Sequence, residues 1–172
     1  QNIQESISER NDSLMKNLQK VLDAFIEERI GTQHFSSLTG YGHNDESREA
    51  IDRVFARVLG AEKAAVRLQY VSGTHAICSA LFGVLRPGER LLSITGKPYE
   101  TLSEVIGTRG EGLGSLIDFG ILYDEIALNP DGTINLAALD KALETPRKVI
   151  LIQRSCGYTF RQSICIKTIE NL

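Results

Sequence analysis

Ser72-Gly73-Thr74 is a short polar turn between an apolar run, Leu68-Gln69-Tyr70-Val71, and a helix-forming stretch, His75-Ala76-Ile77-Cys78-Ser79-Ala80-Leu81. A strand that turns sharply into a helix points backbone N–H groups and the positive end of the helix dipole at one spot, which suits a phosphate. Gly73 lets the backbone approach an anion, and Ser72 and Thr74 offer hydroxyls. The same residues also suit a plain helix cap. No Gly-x-x-x-x-Gly-Lys-Ser/Thr pattern occurs, and no Gly-x-Gly-x-x-Gly follows the first predicted strand, so a nucleotide is not indicated. A Gly-x-Ser-x-Gly nucleophile elbow is missing too, which disfavours a hydrolase.

Other groups with chemistry lie further along. Ser72, Tyr99 and Arg154 each follow a predicted strand, and ligands of open α/β sheets sit beyond the C-terminal strand ends. These three could converge on one rim. Tyr99 also suits a packing role after a Pro-led turn. Arg154 and Arg161 flank Gly157-Tyr158 and could grip a carboxylate or phosphate with two nitrogens; a surface salt bridge is the simpler reading of Arg161. Tyr41, between Gly40 and Gly42, reads as a turn aromatic. His75 reads as a satisfied histidine, His34 and His43 have no metal spacing with any cysteine, and Cys156 has no evident base beside it.

The elements that must hold these residues alternate after residue 61. The first segment is an amphipathic helix with Leu14, Leu18, Val21, Leu22, Phe25, Ile26 and Ile30 on one face. Asn11 or Asp12 could cap it, and Gly31 could end it. A second helix starts near Asp45 and stops at Gly60. Strands are expected over residues 64–71, 90–94, 120–123 and 148–153, the last of them buried. Helices are expected over 74–85, 101–106 and 136–143, the last capped by Asn135 after the turn Asn129-Pro130-Asp131-Gly132. Ser163 could cap a final helix. The fold class is therefore α/β: a helical arm over 1–60, then a mostly parallel sheet flanked by helices over 61–172.

The 172 residues are 42% apolar and 24% charged, with a net charge of −3. That is an ordinary globular composition, with no basic excess to support nucleic-acid binding. No apolar run is long enough for a membrane span, and Gln1 to Arg10 shows no signal-peptide pattern. Three scattered cysteines suggest reduced thiols in a cytoplasmic protein.

Three stretches together carry a resemblance: Ser72-Gly73-Thr74-His75-Ala76-Ile77, Leu81-Phe82-Gly83-Val84-Leu85-Arg86-Pro87-Gly88-Glu89, and Leu92-Ser93-Ile94-Thr95-Gly96-Lys97-Pro98-Tyr99-Glu100-Thr101-Leu102. With Gly40-Tyr41-Gly42-His43 and Gln153-Arg154-Ser155-Cys156-Gly157-Tyr158, the chain resembles the methionine gamma-lyase-like, or aluminium resistance, proteins. These are fold-type I pyridoxal-phosphate enzymes of Cys/Met metabolism. The resemblance implies that this is the N-terminal part of the large domain of a pyridoxal 5'-phosphate-dependent carbon–sulfur lyase. It implies a small amino-acid substrate and a homodimer or homotetramer. Ser72, Gly73 and Thr74 would grip the cofactor phosphate, Tyr99 would stack on its ring, and Tyr41 would reach the partner subunit's cofactor phosphate. The Schiff-base lysine would lie beyond residue 172, which sets Lys97 aside for that role, so the chain alone is expected to lack activity. A different class remains open: a non-catalytic oligomerisation or phosphate-binding module.

Overall fold

The computed structural model describes residues 3–36, 45–111 and 113–172. The chain forms two compact units, Gln1–Tyr70 and Val71–Leu172.

The first unit pairs α1 (Ile3–Glu27) with α2 (Glu46–Leu59). α1 runs straight through Asn11 and Asp12, where the sequence suggests a cap. Neither glycine nor proline interrupts this stretch, so the local capping preference of Asn and Asp yields to continued helix. The helix also stops short of Gly31. Arg29 takes the left-handed conformation (φ 53°), and the N–H of Ile30 reaches the carbonyl of Phe25 at 2.9 Å, closing the end in a Schellman arrangement. α2 begins and ends as expected: the Asp45 carboxylate accepts the Arg48 N–H at 3.0 Å, and Gly60 closes the helix at φ 66°.

Residues 64–71 do not form a strand. A strand needs a ladder for its backbone groups. Here the Asp52 carboxylate of α2 accepts the Val66 N–H at 2.7 Å and grips the Arg67 guanidinium with both oxygens, at 2.6 and 2.7 Å. Residues 61–70 thereby lie with the helical unit, and Leu68 is left 97% exposed.

The second unit is α/β. Strands β1 (Arg90–Ser93), β2 (Leu122–Glu125) and β3 (Val149–Leu151) form a parallel sheet in the order β2-β1-β3, with Leu92 beside Asp124 and Ile150. Helices α3 (Gly73–Val84), α4 (Glu100–Ile106), α5 (Leu136–Leu143) and α6 (Ile166–Glu170) cover it. Successive strand residues point to opposite faces. Leu91 therefore packs with Leu81 of α3, Leu85 just after it, and Leu102 and Ile106 of α4, while Leu92 packs with Leu139, Ile134 and Ile164 on the α5 side.

Three local expectations shift. β2 starts two residues later than the apolar pattern suggests, because Gly120 is a turn residue (φ 79°) whose carbonyl accepts the Gly88 N–H at 2.8 Å. Among the described residues β3 ends the sheet order, and Ile150 is exposed rather than buried. The last helix starts after Cys165, not Ser163, because Ile164 is drawn into the core and its N–H is held by the Arg154 carbonyl at 3.0 Å. Among the described residues, no helix is long and apolar enough to cross a membrane.

Candidate active site beyond the strand ends

Ser72 sits in extended backbone, and its hydroxyl accepts the His75 N–H at 3.1 Å. It caps α3 as an acceptor and keeps its own O–H proton. The first N–H groups of the helix, those of Gly73 and Thr74, precede the intrahelical ladder. A Cβ built on Gly73 would meet nothing within 4 Å, so nothing crowds this position. Thr74 is half-buried, and its hydroxyl lies 3.1 Å from the phenol oxygen of Tyr99 and 3.0 Å from the hydroxyl of Thr101. The polar turn and the aromatic residue, 25 positions apart, thus meet directly.

Tyr99 is placed by a backbone held at nearly every step. After β1, the Thr95 hydroxyl accepts the Gln153 N–H at 2.9 Å. Gly96, at φ 78°, donates to Ile126 at 2.8 Å and accepts the Ser93 hydroxyl at 2.7 Å. The Ser103 hydroxyl donates to the Pro98 carbonyl at 2.9 Å, and the Gln153 side-chain oxygen accepts the Tyr99 N–H at 3.0 Å. The ends of all three strands therefore fix this turn: β1 directly, β2 through Ile126 and β3 through Gln153.

An open cleft of about 1450 Å³ lies at this end of the sheet. Tyr99, Thr101 and Lys97 line one wall, and the loop after Gln153 forms another, with Tyr158 and Phe160 fully exposed. Arg161 lines the cleft, and among the described residues no salt bridge engages it. Its guanidinium donates to the carbonyls of Gln153, Ser155 and Gln162 at 3.2, 2.6 and 3.0 Å, which locks the loop. Arg154 stands off the cleft wall, its Nε donating to the Ile164 carbonyl at 3.0 Å. Cys156 is half-buried in the cleft wall, and Lys97 is exposed at its turn. Tyr41 lies outside the described residues. Gln153 and Thr101 escape a sequence reading; the one signal for Gln153 was a polar residue closing an apolar strand.

A parallel α/β unit with a capped helix start and an aromatic wall beyond its strand ends is the build of a domain that binds a small ligand at its sheet rim. Residues 1–172 match the methionine gamma-lyase family over their whole length, and the chain belongs to that family. It is 47% identical over 169 residues to YnbB of Bacillus subtilis (strain 168), itself uncharacterized, covering 98% of this chain and 39% of that protein. Among solved structures it is similar to a carbon–sulfur lyase involved in aluminium resistance from Clostridium novyi NT (43% identity, TM-score 0.90), covering 98% of this chain and 40% of that one. A protein from Clostridium acetobutylicum, provisionally named a cystathionine beta-lyase involved in aluminium resistance, superimposes with a TM-score of 0.92 at 38% identity, over 98% of this chain and 41% of that one. The chain thus spans about two fifths of the length of these relatives.

Proposed function

We propose that this chain contributes the cofactor-phosphate and ring-wall portion of a fold-type I, pyridoxal 5'-phosphate-dependent carbon–sulfur lyase acting on sulfur amino acids in the cytoplasm. The observation that carries the reading is the 3.1 Å approach of the Thr74 hydroxyl to the Tyr99 phenol, which joins the helix start to the cleft wall. The residues present fit the cofactor. The α3 N-terminus offers N–H groups and the favourable end of a dipole, nothing crowds Gly73, and Tyr99 presents an aromatic wall. When bound, pyridoxal phosphate supplies an electron sink that makes the α-proton of an amino acid removable and lets a sulfur substituent leave. Gly73 and Thr74 would anchor the phosphate through backbone N–H groups, with Ser72 holding the helix start that aims them. Tyr99 would fix the ring plane, its own backbone fixed by Gln153. Tyr41 would serve the site of a second subunit in a homodimer or homotetramer. Arg154, whose Nε is held by the Ile164 carbonyl, would offer its terminal nitrogens to a substrate carboxylate.

The test is equilibrium binding of pyridoxal phosphate and of pyridoxal, which lacks the phosphate. The phosphorylated form should bind more tightly. Gly73→Asp, which sets a carboxylate before the helix, should weaken it at least about tenfold through like-charge repulsion. Tyr99→Ala should weaken both forms. Equal affinity for the two forms, or no effect of either substitution, would remove the assignment. One observation favours a second reading, a non-catalytic oligomerisation module: Leu14, Leu18, Leu22 and Phe25 of α1 are all exposed.

A further inference from the structure

Thr74 is the middle member of a chain of three hydroxyls, Tyr99–Thr74–Thr101, joined by contacts of 3.1 and 3.0 Å. The cleft reaches the two ends of this chain, Tyr99 and Thr101, and Thr74 joins them. Each hydroxyl carries one proton and can donate one hydrogen bond. Three hydroxyls linked by two hydrogen bonds therefore always keep one proton uncommitted. A phenol is a stronger acid than an aliphatic alcohol, so the favoured direction runs from Tyr99 to Thr74 to Thr101. Each bond in such a chain polarises the next. The spare proton then lies on Thr101 and faces the cleft.

The charges around Thr101 allow an anion there. Glu100, the acidic neighbour, is paired with Arg109 at 2.7 Å, and Lys97 adds positive charge to the same wall. Ser72 accepts the His75 N–H in capping α3 and keeps its own O–H proton, so it is a second hydroxyl donor at the helix start.

Resting on the cofactor reading above, we infer that Thr101 donates a hydrogen bond to a phosphate-monoester oxygen, with its hydroxyl oriented by Tyr99 through Thr74. Thr101 is thus a binding residue, and the Tyr99 hydroxyl acts as a positioning group in addition to any role of its ring.

The experiment measures dissociation constants for pyridoxal phosphate, pyridoxal and inorganic phosphate on the full chain and its variants. Thr101→Val removes the hydroxyl and keeps the shape. It should lower the preference for pyridoxal phosphate over pyridoxal about tenfold, the usual scale for one hydrogen bond to a charged group. Thr101→Ser should retain the preference. Tyr99→Phe keeps the ring and cuts the relay, so it should lower the preference in the same sense. Thr101→Ala serves as the second variant if Thr101→Val does not fold. If Thr101→Val leaves the preference intact while Gly73→Asp destroys it, the cofactor reading stands and the role of Thr101 is overturned. An equal loss for pyridoxal and pyridoxal phosphate would mark Thr101 as merely structural and overturn it as well. If inorganic phosphate alone senses Thr101→Val, the anion there is not the cofactor's, and the inference fails.

Discussion

The side-chain oxygen of Gln153 accepts the backbone N–H of Tyr99 at 3.0 Å, joining residues 54 positions apart. The Gln153 N–H in turn donates to the Thr95 hydroxyl at 2.9 Å, so one residue at the end of β3 clamps both ends of the turn that presents Tyr99. Gln153→Leu removes the acceptor for a partly buried N–H. A donor left unpaired in this way costs about 1–3 kcal/mol. Urea denaturation should show that loss for Gln153→Leu, and Gln153→Glu, which retains an acceptor oxygen, should lose less. Equal stability of Gln153→Leu and the parent would mean that this contact does not hold the turn.

Ser72 has a capping role separable from any ligand. Ser72→Ala removes the oxygen that accepts the His75 N–H and should cost about 1 kcal/mol, whereas Ser72→Gly should cost only a few tenths. Thermal melts of the two variants without ligand test this. A Ser72→Ala protein as stable as the parent would deny the cap.

Stability of the helical unit should depend on pH through Asp52. Its hydrogen bond from Arg67, helped by the Val66 N–H, holds the carboxyl below its ordinary range despite partial burial. The folded form therefore binds the proton less readily than the unfolded chain. The contribution is whole above the unfolded value, about 3.9, and is lost as pH falls through the lower folded value. Denaturation midpoints for the parent should drop across this acid window, and Asp52→Asn should flatten that drop. Identical slopes for the two proteins would count against the clamp.

Cys165 should be the thiol to watch in alkylation. The Thr168 hydroxyl, 3.1 Å from its sulfur, is the first cause that pulls the thiol below its ordinary value, and the side chain is exposed. Thiolate is the reactive form. Iodoacetamide labelling of Cys165, followed by peptide mass spectrometry, should therefore reach half-maximal rate at a lower pH than for an ordinary cysteine. Thr168→Val should move that midpoint up. An unchanged midpoint in Thr168→Val would dismiss the hydroxyl as the cause.

What the sequence makes legible here is local. Asp45, Ser72 and Asn135 each cap the helix that follows, because a short polar side chain meets an N–H within three residues. The turn at Asn129-Pro130-Asp131-Gly132 is equally local, with the Gly132 N–H on the Asn129 carbonyl at 2.8 Å. The parallel sheet follows from the alternation of apolar runs with helical ones. The rest depends on partners that periodicity cannot see. Residues 64–71 carry a strand-like pattern, but the carboxylate that takes Val66 lies 14 positions back on α2. Among the described residues β3 pairs with β1 alone, and Ile150 is exposed where its apolar run suggests burial. Ser72, Gly73, Thr74 and Tyr99 stand out as candidates from their motifs, and the contact between Thr74 and Tyr99 is what the fold adds to them. Thr101 and Gln153 emerge only when the fold brings distant segments together.

α1 presents two faces with different fates. Ala24 is buried where the helix pairs with α2. Leu14, Leu18, Leu22 and Phe25 recur about one turn apart on a neighbouring face and are all exposed, Leu14 at 64%. A continuous apolar stripe in water is unfavourable, and a second copy of the same stripe can cover it. Sedimentation velocity on the isolated chain should therefore show mass rising with concentration. Leu18→Glu combined with Leu22→Glu should shift the population towards monomer, because each charge would have to enter the apolar contact without a partner. The two glutamates face outward in the monomer, so its melting temperature should hardly change. A parent protein that sediments as a monomer at all concentrations, with a cooperative melt, would rule this stripe out as an association surface.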